Sequence, residues 1–133
     1  MKKLKITLGG KEFLADVLYD KAPKIIAALE AAGKFDSVVF AANICSNEIT
    51  WNTPVDDVDE LENPVFYEDP GNIIYYPSWG AICVFFGPTE PAGWCNLFAK
   101  FPADELEKFK VEANKVWYKQ GGLVTTEFVE VEA

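Results

Sequence analysis

Leu4, Ile6 and Leu8 alternate with polar residues, and Phe13 to Leu18 resumes the alternation after Gly9-Gly10, a pair suited to the positive φ angles of a tight turn. The chain is therefore predicted to open with a β-hairpin. Ile25, Ile26, Leu29 and Ala32 then recur at helical spacing. Asp20 can accept hydrogen bonds from the first free amides, Pro23 suits a first turn and Gly33 supplies the stop, so a helix is expected over residues 21–32.

Residues 37–42 and 48–52 are read as two further strands, and 72–76 and 81–86 as two more. Ala81, Ile82, Cys83, Val84, Phe85 and Phe86 are apolar on both alternating faces, which predicts a central strand covered above and below. Between these pairs the acidic run from Asp56 to Pro64 is expected to be a solvated loop. Residues 94–101 form another expected strand. Leu106, Phe109, Ala113 and Val116 or Trp117 step at three or four residues from Asp104 towards Gly121-Gly122, the pattern of a second amphipathic helix. Residues 123–131, rich in β-branched types, close the chain as a strand placed to pair near the N-terminal hairpin. About eight strands and two isolated helices predict a mainly β protein, a mostly antiparallel closed barrel whose ends the helices plug.

At 133 residues the chain is expected to be one domain spanning 1–133, with enough apolar residues to build a full core. No apolar run approaches the ~20 residues of a membrane span, and the Lys-containing start alternates instead of forming a signal-peptide core. A soluble cytoplasmic protein without membrane attachment is the expectation. The net charge of -9 repels a phosphate backbone, so nucleic acid is not an expected partner. Cys45, Cys83 and Cys95 match neither a CxxC nor a zinc-ribbon spacing, and Cys83 reads as a buried reduced thiol.

Two absences narrow the chemistry further. The chain has no His and no Arg, which removes the commonest general base and metal ligand together with the only bidentate guanidinium. Cys-His and Ser-His nucleophile pairs are excluded. The acidic residues Asp56, Asp57, Asp59 and Glu60 lack the glycine and ligand spacing of a calcium loop, so no metal and no cofactor are expected.

YDKAPKIIAAL, residues 19–29, following the hairpin, looks like the cyclophilin pattern of a strand running into a helix. WNTPV (51–55), ENP (62–64), PGNIIYYPSWGAICVFFGPT (70–89) and NLFAKF (96–101) more closely resemble a cyclophilin-like family of uncharacterised small bacterial and archaeal proteins. The resemblance covers nearly the whole chain. It implies a closed cyclophilin-like barrel and little about chemistry, because that family lacks an established activity. Cyclophilin prolyl isomerases are thought to use an arginine at the prolyl amide. Its absence here disfavours that reaction, since Lys lacks the planar fork.

The candidate site is therefore an aromatic pocket for a small uncharged or cationic metabolite. Trp51, Tyr76, Trp79, Phe86 and Trp94 are its candidate walls, with Thr53, Asn96 and Glu48 as orienting polar groups. Each has a structural alternative. Phe86 and one of Tyr75 or Tyr76 suit the core, Trp79 suits a subunit interface, Trp94 could cap the barrel, and Asn96 could satisfy backbone groups at a barrel corner. Glu48, if desolvated, is the candidate catalytic base of an enzyme or enzyme accessory acting on a cyclic or related small amide, with a Tyr as the other candidate acid or base. Lys100, the nearest cation in sequence, reads as a surface residue. A protein-interaction module, including a homo-oligomer held by exposed aromatics, is the third reading.

Overall fold

The computed structural model describes residues 1–42, 47–56, 58–66, 69–89 and 93–132. The opening hairpin is β1 (Lys2–Leu8) and β2 (Lys11–Val17), with Gly9 and Gly10 both at positive φ between them. Helix α1 (Pro23–Ala32) follows, then β3 (Phe35–Val38), β4 (Phe40–Ala41), β5 (Glu48–Asn52) and the short β6 (Pro64–Val65). β7 (Asn72–Tyr76), β8 (Ala81–Phe85) and β9 (Cys95–Lys100) precede α2 (Ala103–Tyr118), and β10 (Leu123–Glu130) ends the chain.

All pairings are antiparallel, in the order β3-β10-β1-β2-β9-β7-β8-β5-β4, with β6 added to β9. The described residues thus form ten strands, not eight. The expected strand over 37–42 is split at Val39, and β6 is the second addition. Nor do hydrogen bonds close the sheet as a barrel. Its end strands, β3 and β4, are consecutive in sequence. Val39 between them spends its backbone groups on the segment after α2, accepting from Gly121 N at 3.0 Å and donating to Gly122 O at 2.9 Å, where a ladder partner would otherwise stand. Ser37 Oγ, donating to Asn52 O at 2.6 Å, bridges from β3 to β5.

The main core packs inside this sheet against Ile25, Ile26 and Leu29 of α1 and Leu106, Phe109, Ala113 and Val116 of α2. A smaller cluster of Ile74, Cys83, Phe85 and Cys95 is separate from it. β8 supplies Ile82 and Val84 to the first cluster and Cys83 and Phe85 to the second, which explains its unbroken apolar sequence. Its place between β7 and β5 matches the expected central position.

Helix α1 starts two residues later than expected, and Asp20 does not cap it. Ala22 occupies the N-cap position without a side-chain bond. The carboxylate of Glu62, from the acidic loop, accepts from Lys24 N at 2.8 Å and Ile25 N at 2.9 Å. The orphan amides of the first turn are thus satisfied from a distant segment.

On α2, Glu112 is buried against the hairpin turn, where Lys11 and Lys115 approach its carboxylate at 3.2 and 3.1 Å. A Cβ at Gly9 would run into this carboxylate. Burial by itself pushes the carboxyl upward, but the two ammonium groups outweigh it and hold Glu112 below the ordinary 4.5. A depressed folded-state value contributes stability that is complete above the unfolded value and is lost as pH falls through the folded one. The urea midpoint of Glu112→Gln is accordingly expected below that of the wild type at neutral pH, with the gap closing in acid. A gap that widens in acid overturns this account.

Candidate functional site

β5 begins at Glu48, paired in register with Phe85. The preceding Asn47 is fixed on both sides, accepting from Phe86 N at 2.9 Å through its carbonyl and donating from Nδ2 to Pro88 O at 2.7 Å. Gly87 makes room for it, since a Cβ there would lie 2.9 Å from Asn47 Cγ. Across from this corner, the last turns of α2 present Ala113, Asn114, Trp117 and Tyr118. The two elements, with Ala41 and Phe86, enclose a groove of about 230 Å³.

Glu48 borders this groove but is only 6 % exposed, and its carboxylate lies on the β5 face shared with Thr50, turned towards Cys83. Phe86 is buried as well, whereas Trp117 is 51 % exposed and Tyr118 stands almost fully in solvent. The groove therefore sets accessible rings against a buried strand start. The buried Cys83 thiol donates to Thr50 Oγ1 at 3.3 Å. Burial first, and then the charge of Glu48, push this thiol well above the ordinary thiol range. Cys83 stays protonated at neutral pH and has no nucleophilic character.

The residues singled out in the sequence do not form one pocket. Phe86 lines the groove, and Glu48 borders it. Tyr76 and Trp79 stack elsewhere, with ring centroids 4.6 Å apart and planes inclined by 20°, and Trp79 is 63 % exposed. Trp94, 57 % exposed, leans on Phe66 at 5.3 Å. Lys100 is exposed. Trp51 has no exposed surface. It lies in the core, and its Nε1 donates to Thr126 Oγ1 at 3.0 Å. Thr53 closes a turn, accepting from Val55 N at 3.1 Å and donating to Gly80 O at 2.9 Å.

Asn96 is equally inaccessible, and it holds the acidic loop. Its Oδ1 accepts from Glu62 N at 2.6 Å and Asn63 N at 3.1 Å, and its Nδ2 donates to Glu60 O at 2.7 Å. This is the structural alternative weighed for it, satisfaction of backbone groups beside a strand. Sequence reasoning missed Asn47, Asn114, Trp117 and Tyr118. A signal for the last two existed. Leu106, Phe109, Ala113 and Val116 already complete the inward face of α2, so two adjacent rings beyond them are surplus to the core.

Cys45 and Asp57 lie outside the described residues. Asp56, Asp59 and Glu60 are exposed, and Glu60 pairs with Lys24. Among the described residues no group of three His, Cys, Asp or Glu side chains could hold a metal ion, and no helix is long and apolar enough to cross a membrane.

The profile of the cyclophilin-like family matches residues 2–118. Two solved structures share the fold. McbB, determined in complex with tryptophan, superposes with a TM-score of 0.83 at 13 % identity, over 100 % of this chain and 46 % of that one. The hypothetical protein AF2241 from Archaeoglobus fulgidus, determined in solution, gives 0.72 at 23 % identity, over 94 % of this chain and 92 % of that one. The chain thus spans less than half the length of McbB. No curated protein sequence matches it.

Proposed function

Because the chain belongs to the cyclophilin-like family, we propose that it is a small-molecule-binding protein whose groove between α2 and β5 receives a small uncharged or cationic metabolite. The observation that carries this reading is a concavity that sets the accessible rings of Trp117 and Tyr118 against the buried Phe86 and the fixed Asn47 at the start of β5. Ligand sites combine apolar walls with a few fixed polar groups in this way. The groove volume of about 230 Å³ is below the ~300–1,000 Å³ of drug-sized sites, which restricts the ligand to a small molecule. McbB, which shares this fold, is solved with tryptophan, itself a small molecule. The missing arginine continues to disfavour prolyl isomerisation.

A thermal-shift screen against small amides, amines and neutral heterocycles tests the reading. A ligand at 100 times its dissociation constant adds ~2.7 kcal/mol and raises Tm by several degrees. Trp117→Ala is expected to weaken any such ligand by at least about tenfold, or ~1.4 kcal/mol, with little change in the unliganded Tm. A ligand that binds Trp117→Ala and Tyr118→Ala as tightly as the wild type is not in this groove. Should a cyclic amide be turned over, Glu48 is the base to test, and turnover surviving in Glu48→Gln removes it from that role.

A second reading, a protein-interaction surface, draws on the exposed Trp79 and Trp94. It requires a mass that rises with concentration or with an added partner and falls back in Trp79→Ser.

A further inference from the structure

The polarity of the groove wall selects among small molecules. Taking the groove to be the ligand site, we propose that its occupant is a neutral planar ring carrying a hydrogen-bond donor beside an acceptor, its polar edge met by the side-chain amides of Asn47 and Asn114 and its ring against Trp117.

Strand alternation decides which side chains face this groove. Ile49 and Trp51 project into the core on which α2 packs, and Ala41 stands opposite Ile49. Phe86 follows Ile82 and Val84 to the same side, and its N–H donates to Asn47 O at 2.9 Å, which extends the β5–β8 ladder and sets Asn47 on that side too. Glu48 alternates to the other face, where Thr50 accepts from the Cys83 thiol at 3.3 Å. No other charged residue lines the groove, and Lys115, two residues before Trp117, is bound to the carboxylate of Glu112 at 3.1 Å. The concavity thus offers neither a carboxylate to a cation nor an ammonium to an anion. A charged ligand gives up hydration there with no opposite charge to offset the loss, whereas a neutral one needs hydrogen bonds only for its few polar atoms.

Two amides supply those bonds. Asn47 Nδ2 is bound to Pro88 O at 2.7 Å, which fixes the side chain, and among the described residues neither Asn47 Oδ1 nor the exposed Asn114 amide has a hydrogen-bond partner. A fixed acceptor at Asn47 calls for an N–H on the ligand, and the NH2 group of Asn114 calls for an oxygen beside it. A carboxamide carries both on adjacent atoms in one plane. The half-exposed indole of Trp117 and the buried ring of Phe86 give a flat ligand aromatic surface to lie against. Gln120 Oε1 accepts from Ala41 N at 3.3 Å and ties the end of α2 to β4, so the two walls are held together before any ligand enters.

The experiment compares benzamide with its two charged isosteres, benzoate and benzamidinium, by calorimetry and tryptophan fluorescence at neutral pH on the full chain, in the wild type, Asn47→Ala, Asn114→Ala and Trp117→Ala. Benzamide is expected to bind the wild type at least about tenfold more tightly than either ion. Each asparagine variant is expected to weaken benzamide by about three- to tenfold, the worth of one hydrogen bond, and Trp117→Ala to weaken all three probes. Equal affinity of the three probes in the wild type, or tighter binding of either ion, lost in Trp117→Ala, overturns the neutral class and leaves the groove as a site. Benzamide binding unchanged in both asparagine variants overturns the recognition by amides, and if it is unchanged in Trp117→Ala as well the site falls with it. Absence of saturable benzamide binding below about 10 mM also overturns the class, while another ligand that binds the wild type and is lost in Trp117→Ala would still uphold the groove. Asn114 is exposed on α2, where alanine favours the helix, so its variant keeps the test decisive even if Asn47→Ala folds poorly.

Discussion

Trp51→Ala is expected to lower the unfolding free energy by about 4 kcal/mol, the range for removing a large aromatic from a packed core. The indole is fully enclosed, and Ile82 stands beside it across the β5–β8 ladder. Its loss also strands the Thr126 hydroxyl, itself buried, which accepts from Trp51 Nε1 at 3.0 Å. Trp51→Phe separates the two contributions. It keeps a ring in the core and gives up the hydrogen bond, so its destabilisation is expected near 1–2 kcal/mol. Urea midpoints of the two variants measure both values. Ligand binding by the folded Trp51→Phe protein is expected to stay at wild-type strength, because the indole is fully enclosed and does not line the groove. This holds although it is residue 51, and not residue 48 on the opposite face of β5, that projects to the side on which α2 packs. A tenfold loss of affinity in Trp51→Phe at unchanged structure would return the indole to the binding site.

That contrast between residues 48 and 51 shows what the sequence could and could not reveal. Local chemistry was legible. Gly9-Gly10 turns the hairpin, β5 and β7 have their expected bounds, and the two-sided apolar run of β8 marks a central strand, since each depends on residues adjacent in the chain. The likeness to the cyclophilin-like family was legible from motifs spread over the whole chain. Features that depend on a distant partner were not. Asp20 is a good capping residue in a good position, yet Glu62 supplies the cap, 38 residues beyond Lys24. Closure of the barrel depends on where Val39 sends its two backbone groups, and Gly121 and Gly122 lie beyond α2. Aromatic richness indicated that rings would stand at the surface. Which rings share a concavity is set by the meeting of α2 with the start of β5, and neither element's own pattern encodes it.

Asn96→Ala is expected to be the second severe substitution, although it removes a side chain of modest size. The lost amide leaves the N–H groups of Glu62 and Asn63 and the carbonyl of Glu60 without their partner. At ~1–3 kcal/mol for each polar group left unsatisfied, discounted for those that water reaches through the partly exposed loop, the expected destabilisation is about 3 kcal/mol, or a Tm lower by about 10 °C. The consequence also reaches α1. Asn96 holds the backbone of Glu62, and the Glu62 carboxylate holds the amides of Lys24 and Ile25, so one buried amide fixes a loop that in turn fixes a helix start. Faster hydrogen exchange at Lys24 and Ile25 is therefore expected in Asn96→Ala, and also in Glu62→Ala, where the link is cut one step later. If the relay is real, the double variant loses less stability than the sum of the two single losses, because both interrupt the same chain of contacts. Strict additivity, with unaltered exchange at α1 in Asn96→Ala, would mean that Asn96 stabilises the loop alone and that α1 keeps its cap without it.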